Sequence, residues 1–79
     1  MQFVLENKKL DKRMTFRSFD VLKDEGRKIF QKTDWFVKIT LTQNSLYLNL
    51  WMFPENFIET KQGNGYYTIT FPLSECLND

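Results

Sequence analysis

Residues 35–53 read Trp35-Phe36-Val37-Lys38-Ile39-Thr40-Leu41-Thr42, then Gln43-Asn44-Ser45, then Leu46-Tyr47-Leu48-Asn49-Leu50-Trp51-Met52-Phe53. In both runs an apolar residue recurs at every second position, the period of a strand with one buried face. Trp35, Val37, Ile39 and Leu41 alternate with Phe36, Lys38, Thr40 and Thr42, and Leu46, Leu48, Leu50 and Met52 alternate with Tyr47, Asn49, Trp51 and Phe53. The pattern predicts a hairpin turning at Gln43-Asn44, which sets Leu41 against Leu46, Ile39 against Leu48, Val37 against Leu50 and Trp35 against Met52. A slip of one residue would turn each of these side chains to the other face, so the pattern selects this register. Asn44 tolerates the positive φ of a two-residue turn, whereas Gln43 suits it poorly.

Working outward, Ser18 is a fair N-cap for a helix from about Phe19 to Lys32. Phe19, Leu22, Gly26, Ile29 and Phe30 fall on one stripe of that helix and mark its core-facing side. Gly26 on a buried stripe costs about 1 kcal/mol of helix propensity relative to alanine, and close approach to a sheet is the simplest compensation. Asp24 and Lys28 form an i, i+4 pair. Upstream, Gln2-Phe3-Val4-Leu5 is a short strand-type run. The alternation of Leu10 to Phe16 reads either as the second half of a hairpin or as an extended lead-in to the helix. Downstream, Pro54 ends the hairpin, Gln62-Gly63-Asn64-Gly65 is a turn by composition, and Tyr66 to Phe71 alternates as a further strand. Phe57 to Lys61 either pairs with that strand through the glycine turn or forms a loop. Pro72 closes the strand, and Leu73 to Asp79 has the length for one helical turn.

The 79 residues allow one domain, 1–79, with one modest core. At 42% hydrophobic and 16% aromatic, the chain carries enough apolar material to fold, with much of it in rings. The expected architecture is α+β, one helix packed on a mostly antiparallel sheet of three to five strands. The formal charge of +1 excludes a strongly basic nucleic-acid binder and an acidic DNA mimic. It conceals an uneven distribution: residues 1–38 hold ten cations and six acids, and residues 39–79 hold one cation and four acids. One cysteine, Cys76, leaves no intramolecular disulfide and suits a reducing compartment. No run approaches the roughly 18 apolar residues of a spanning helix, and residues 1–10 lack the apolar core of a signal peptide. A soluble cytoplasmic protein without a membrane partner is expected.

The chain has no histidine. That removes imidazole acid–base catalysis, Ser-His and Cys-His nucleophile pairs and imidazole zinc sites. Gly63-Asn64-Gly65 lacks the third glycine of a phosphate loop and leads into a strand rather than a helix. Asp24 with Glu25 reads as a solvated helix face, Glu55 with Glu59 as loop charge, and Cys76 as filler with no cation nearby to activate it. A non-enzymatic protein without cofactor or metal is the expectation.

Binding then rests on two features. In the hairpin register Phe36, Tyr47, Trp51 and Phe53, joined by Tyr66, share the outward sheet face with Lys38 and several threonines, a surface suited to bury a partner's side chains. The N-terminal cations Lys8, Lys9, Lys12, Arg13 and Arg17, with Lys38, are the residues available to phosphates. The leading expectation is a small binding protein, a regulator or inhibitor of the accessory type that phages and mobile elements encode, docking on another protein through its aromatic face or a sheet edge. The alternative is a single-stranded RNA or DNA binder that stacks bases on Tyr47, Trp51 and Tyr66. Coverage of the face by the chain's own N-terminal segment or by a second copy in a homodimer is the plain structural reading.

Overall fold

Valine, isoleucine and threonine favour extended backbone because their branched Cβ packs well on a pleated surface. Such residues are dense in Phe36–Thr42 and Tyr66–Pro72 and absent from Leu46 to Phe53. A computed structural model, which describes residues 1–29, 34–54 and 59–77, follows this division. The strands are β1 (Gln2–Asn7), β2 (Lys12–Phe16), β3 (Phe36–Thr42), β4 (Glu59–Gly63) and β5 (Tyr66–Pro72). They form one antiparallel sheet in the order β2-β1-β3-β5-β4. The helices are α1 (Phe19–Ile29), α2 (Gln43–Leu48) and α3 (Leu73–Cys76), with a 3-10 turn at Leu50–Met52. The fold is therefore α+β, with α1 packed on an antiparallel five-stranded sheet.

The expected hairpin of residues 35–53 is not formed. β3 is a strand, but its partners are β1 and β5, with Ile39 opposite Phe3 and Ile69. The second run coils into α2 and the 3-10 turn. Thr42 starts this departure. Its backbone is extended, at φ −76° and ψ 164°, and its Oγ1 accepts the Ser45 amide at 3.3 Å, closing an N-cap. Leu46 then packs on the core, Met52 follows six positions later, and Phe53 is buried. None of the four predicted cross-strand pairs exists, because leucine-rich sequence with a threonine cap gains more from helix than from a ladder.

The first hairpin is formed, with Phe3 opposite Phe16 and Asn7 opposite Lys12. Its turn is closed by Asn7, whose Oδ1 accepts the Leu10 amide at 3.1 Å, and by Asp11 at φ 52°. The glycine turn likewise joins β4 to β5, with Asn64 at φ 51° and Gly65 at φ 79°, the left-handed pair that a two-residue hairpin requires. Phe57 and Ile58 lie outside the described residues, as do Phe30 to Thr33 at the expected end of α1. The tail makes its helical turn as α3.

On the inward face Phe3, Leu5, Val37, Ile39, Leu41, Ile69 and Phe71 form one cluster with Leu22 of α1, Trp35, Phe53 and Leu73. Ser18 Oγ caps α1 by accepting the Val21 amide at 3.2 Å. The exposed ion pairs of α1 run Asp24–Arg27 at 3.1 Å and Glu25–Lys28 at 3.2 Å, rather than from Asp24 to Lys28. Gly26 is buried, and a Cβ built on it would stand 2.8 Å from Leu73 Cδ1. The close approach it permits is thus to the start of α3 and not to the sheet.

Candidate functional site

The five aromatic residues expected on one sheet face occupy three places. Phe36 and Tyr66 do lie on the outward face, but at opposite ends of the β3–β5 pair, Phe36 beside Pro72 and Tyr66 beside Thr42. Six strand residues separate them, roughly 20 Å at the usual rise. Between them the face is polar, with Thr40 against Thr68 and Lys38 against Thr70. Phe53 is not on a surface at all: it is 8% exposed and belongs to the core cluster. Its loss from the predicted site follows from the helical path of residues 43–52, which brings Phe53 round to the sheet's inward side.

Tyr47 and Trp51 are exposed, as expected, but on α2 and the 3-10 turn rather than on the sheet. Tyr47 is 66% exposed, Leu48 75% and Trp51 81%. Tyr47 and Leu48 close α2 and Trp51 lies in the 3-10 turn that follows Asn49, so three strongly exposed apolar side chains fall within five residues. Leu48 was expected to face inward, and helical periodicity in place of strand periodicity is what turns it out. The Trp51 indole is anchored locally, its Nε1 donating to the Leu48 carbonyl at 3.2 Å. Asn49 braces the same coil, its Nδ2 donating to the Ser45 carbonyl at 2.9 Å. The sequence signal for this site was available in Thr42-x-x-Ser45 followed by leucines without a β-branched residue.

Beside Trp51 a groove of about 360 Å³ runs between the 3-10 turn and the start of α1. Phe3 and Phe19 supply stacked rings, with centroids 6.0 Å apart and planes at 22°, and Trp51 and Met52 line the same space. Arg17, Asp20 and Lys23 also line it, and Lys23 Nζ stands 5.7 Å above the Phe19 ring. Trp51 therefore belongs both to the protruding surface and to the groove, and joins them.

The predicted basic cluster divides along the β1–β2 hairpin. Lys8 and Lys9 lie in its turn, and Lys12 lies opposite Asn7 next to that turn. Arg17 lies past the other end, beyond Phe16, and lines the groove. Arg13 stands across from Glu6. Lys9 pairs with Asp34 at 3.5 Å in an exposed contact, and Lys38 with Glu6 at 3.4 Å. The exposed Lys9–Asp34 pair contributes about 0–1 kcal/mol, and the Lys38–Glu6 pair is partly buried. Among the described residues no group of three acidic, histidine or cysteine side chains is placed to hold a metal ion. Nor, among them, is any helix long and apolar enough to cross a membrane.

Comparison with protein-family models, with curated proteins and with solved structures finds no match for this chain.

Proposed function

We propose that the protein is a non-enzymatic binding module, a small regulator or inhibitor of the accessory kind, that docks on another protein through Tyr47, Leu48 and Trp51. The carrying observation is that these three large side chains, within five residues of one another, stand at 66%, 75% and 81% exposure on a capped and internally hydrogen-bonded segment. Exposed apolar residues standing singly are ordinary, but a contiguous set containing a tryptophan and a tyrosine has the composition of an interface hot spot. Each ring can bury about 150–250 Å². Little ordering cost remains when the coil beneath is already fixed. A chain whose only cysteine is Cys76 suits the reducing cytoplasm, where such a partner would be met.

Homodimerisation and nucleic-acid binding have less support. Two rings and a leucine fall short of the roughly 800 Å² per partner of a stable interface, so any partner must bury further surface around them, and a second copy docking by residues 43–54 would bring no carboxylate to the neighbouring Arg17. Stacking of nucleic acid needs phosphate contacts in register with the rings, and the cations are divided between the two ends of the β1–β2 hairpin.

The test compares wild-type chain with Trp51→Ala and Leu48→Ser in affinity capture read by quantitative mass spectrometry, with circular dichroism as the control for folding. Proteins enriched at least tenfold by wild type and lost with both variants are the expected result. Retention of the same proteins by both folded variants refutes the proposal. Light scattering at high micromolar concentration reads self-association separately.

A further inference from the structure

We infer that the groove beside Trp51 receives one large apolar or aromatic side chain from an acidic segment of the partner protein. This deepens the docking proposal above and rests on it. At about 360 Å³ the groove lies at the small end of ligand-sized pockets, enough for one bulky side chain and too small for a broad surface. Among the described residues its apolar lining is four large side chains, Phe3 and Phe19 stacked against each other together with Trp51 and Met52. Methionine adapts its shape to an inserted group, and the rings offer faces and edges to an aromatic one.

Charge selects the rest of the partner. Residues 43–54, which form the far wall and the protruding surface, contain no ionisable acid or base apart from Tyr47. Among the described residues, the charged side chains lining the groove are Arg17, Lys23 and Asp20. Arg17 is exposed and makes no ion pair among the described residues. Its planar fork matches a carboxylate with two parallel hydrogen bonds. Lys23 lines the same groove, with its Nζ over the Phe19 ring. Asp20 occupies the first turn of α1, where a carboxylate complements the helix dipole.

The same charges disfavour the other occupants. A second copy docking by its own residues 43–52 would bring no carboxylate to Arg17, since that stretch has none. A nucleic-acid strand requires cations along its length, yet Lys8, Lys9 and Lys12 lie at the opposite end of the β1–β2 hairpin from the groove, four to five strand residues or about 15 Å away.

A random twelve-residue peptide library panned on the immobilised full-length chain, followed by fluorescence polarisation with the enriched peptides, tests this. The expected winners carry a Trp, Phe or Leu with two or more Asp or Glu within four positions. Their affinity should fall at least tenfold with Arg17→Glu, with Trp51→Ala and when the peptide acids are replaced by lysine, and severalfold between 0.05 and 0.5 M salt. Arg17 is exposed, so its reversal is not expected to disturb folding, and circular dichroism verifies it. Four results overturn the inference: no enrichment, winners without acidic residues, indifference to Arg17→Glu, or displacement of the peptides by a twelve-nucleotide oligothymidine at equal concentration. If protein capture is lost with Trp51→Ala while the enriched peptides lack acids, docking stands and the acidic-segment inference alone falls. If capture survives Trp51→Ala, the docking proposal itself falls.

Discussion

Gly26 concentrates two opposing effects at one atom. Adding a Cβ in mid-helix would gain about 1 kcal/mol of propensity. That Cβ would stand 2.8 Å from Leu73 Cδ1 and 3.1 Å from Cδ2, and Leu73 is fully buried. Overpacking of this kind costs about 1–3 kcal/mol, so Gly26→Ala should destabilise the fold by about 1 kcal/mol in urea titration. In a Leu73→Val background both contacting methyl groups are gone, and the same substitution should become neutral or stabilising. A stabilising single variant would mean that α1 and α3 stand further apart than described. Phe53 and Trp51 make a second contrast. In the hairpin reading they share the outward face and would respond alike. In the observed fold Phe53 is in the core and Trp51 protrudes. Phe53→Ala should cost about 3–5 kcal/mol, and Trp51→Ala about 0.5 kcal/mol or less. Equal losses in chemical denaturation would restore the strand.

The element most easily misread from sequence is the one that builds the site. Period two in Leu46, Leu48, Leu50 and Met52 is a true feature of the chain, yet leucine at every second position is also compatible with helix. Periodicity over eight residues does not separate the two. What separates them is residue type: Phe36–Thr42 holds two β-branched apolar residues and two threonines, and Leu46 to Phe53 holds no β-branched residue. α1 and the Asn64-Gly65 turn were legible because each carries a local signal, a cap with a sustained stripe in one and a left-handed pair in the other, whereas the first hairpin stood level with an extended lead-in and the closing helical turn had only its length to suggest it. The neighbours of β3 were not legible, since strand order depends on which long-range partner buries the most apolar surface. Of the candidate site, the exposure of Tyr47 and Trp51 was legible but their place on α2 and the 3-10 turn was not, and Leu48 and the groove were missed with α2. Thr42 tests the argument. As an N-cap it should lose about 1 kcal/mol on Thr42→Ala and almost nothing on Thr42→Ser. Were residues 42–53 a strand, serine, a poor strand former, would cost nearly as much as alanine. Urea midpoints of the two variants decide between them.

At the scale of the whole molecule, strand order turns a sequence asymmetry into a spatial one. β2 and β1 come from the half of the chain rich in lysine and arginine, β4 and β5 from the half with more acids than bases, and β3 lies between them. The two edges, β2 and β4, each leave one row of backbone groups without a strand partner in the sheet. On β2 the sequence Lys12-Arg13-Met14-Thr15-Phe16 places two cations on that edge, a common defence against strand addition. β3 is hydrogen-bonded on both sides and carries Val37, Ile39 and Leu41, all essentially inaccessible to solvent. Its amides should therefore exchange with solvent only through global unfolding, and those of β2 and β4 that point away from the sheet should exchange by local fraying, at least a hundredfold faster. The measurement is native-state hydrogen exchange at two protein concentrations. Protection of β2 equal to that of β3, and rising with concentration, would mean that a second copy extends the sheet across this edge. The Tyr47–Leu48–Trp51 surface would then be one of two interfaces rather than the principal one. Concentration-independent exchange with β2 unprotected would show that no second copy pairs with this edge, and would leave the docking proposal resting on that surface and its groove alone.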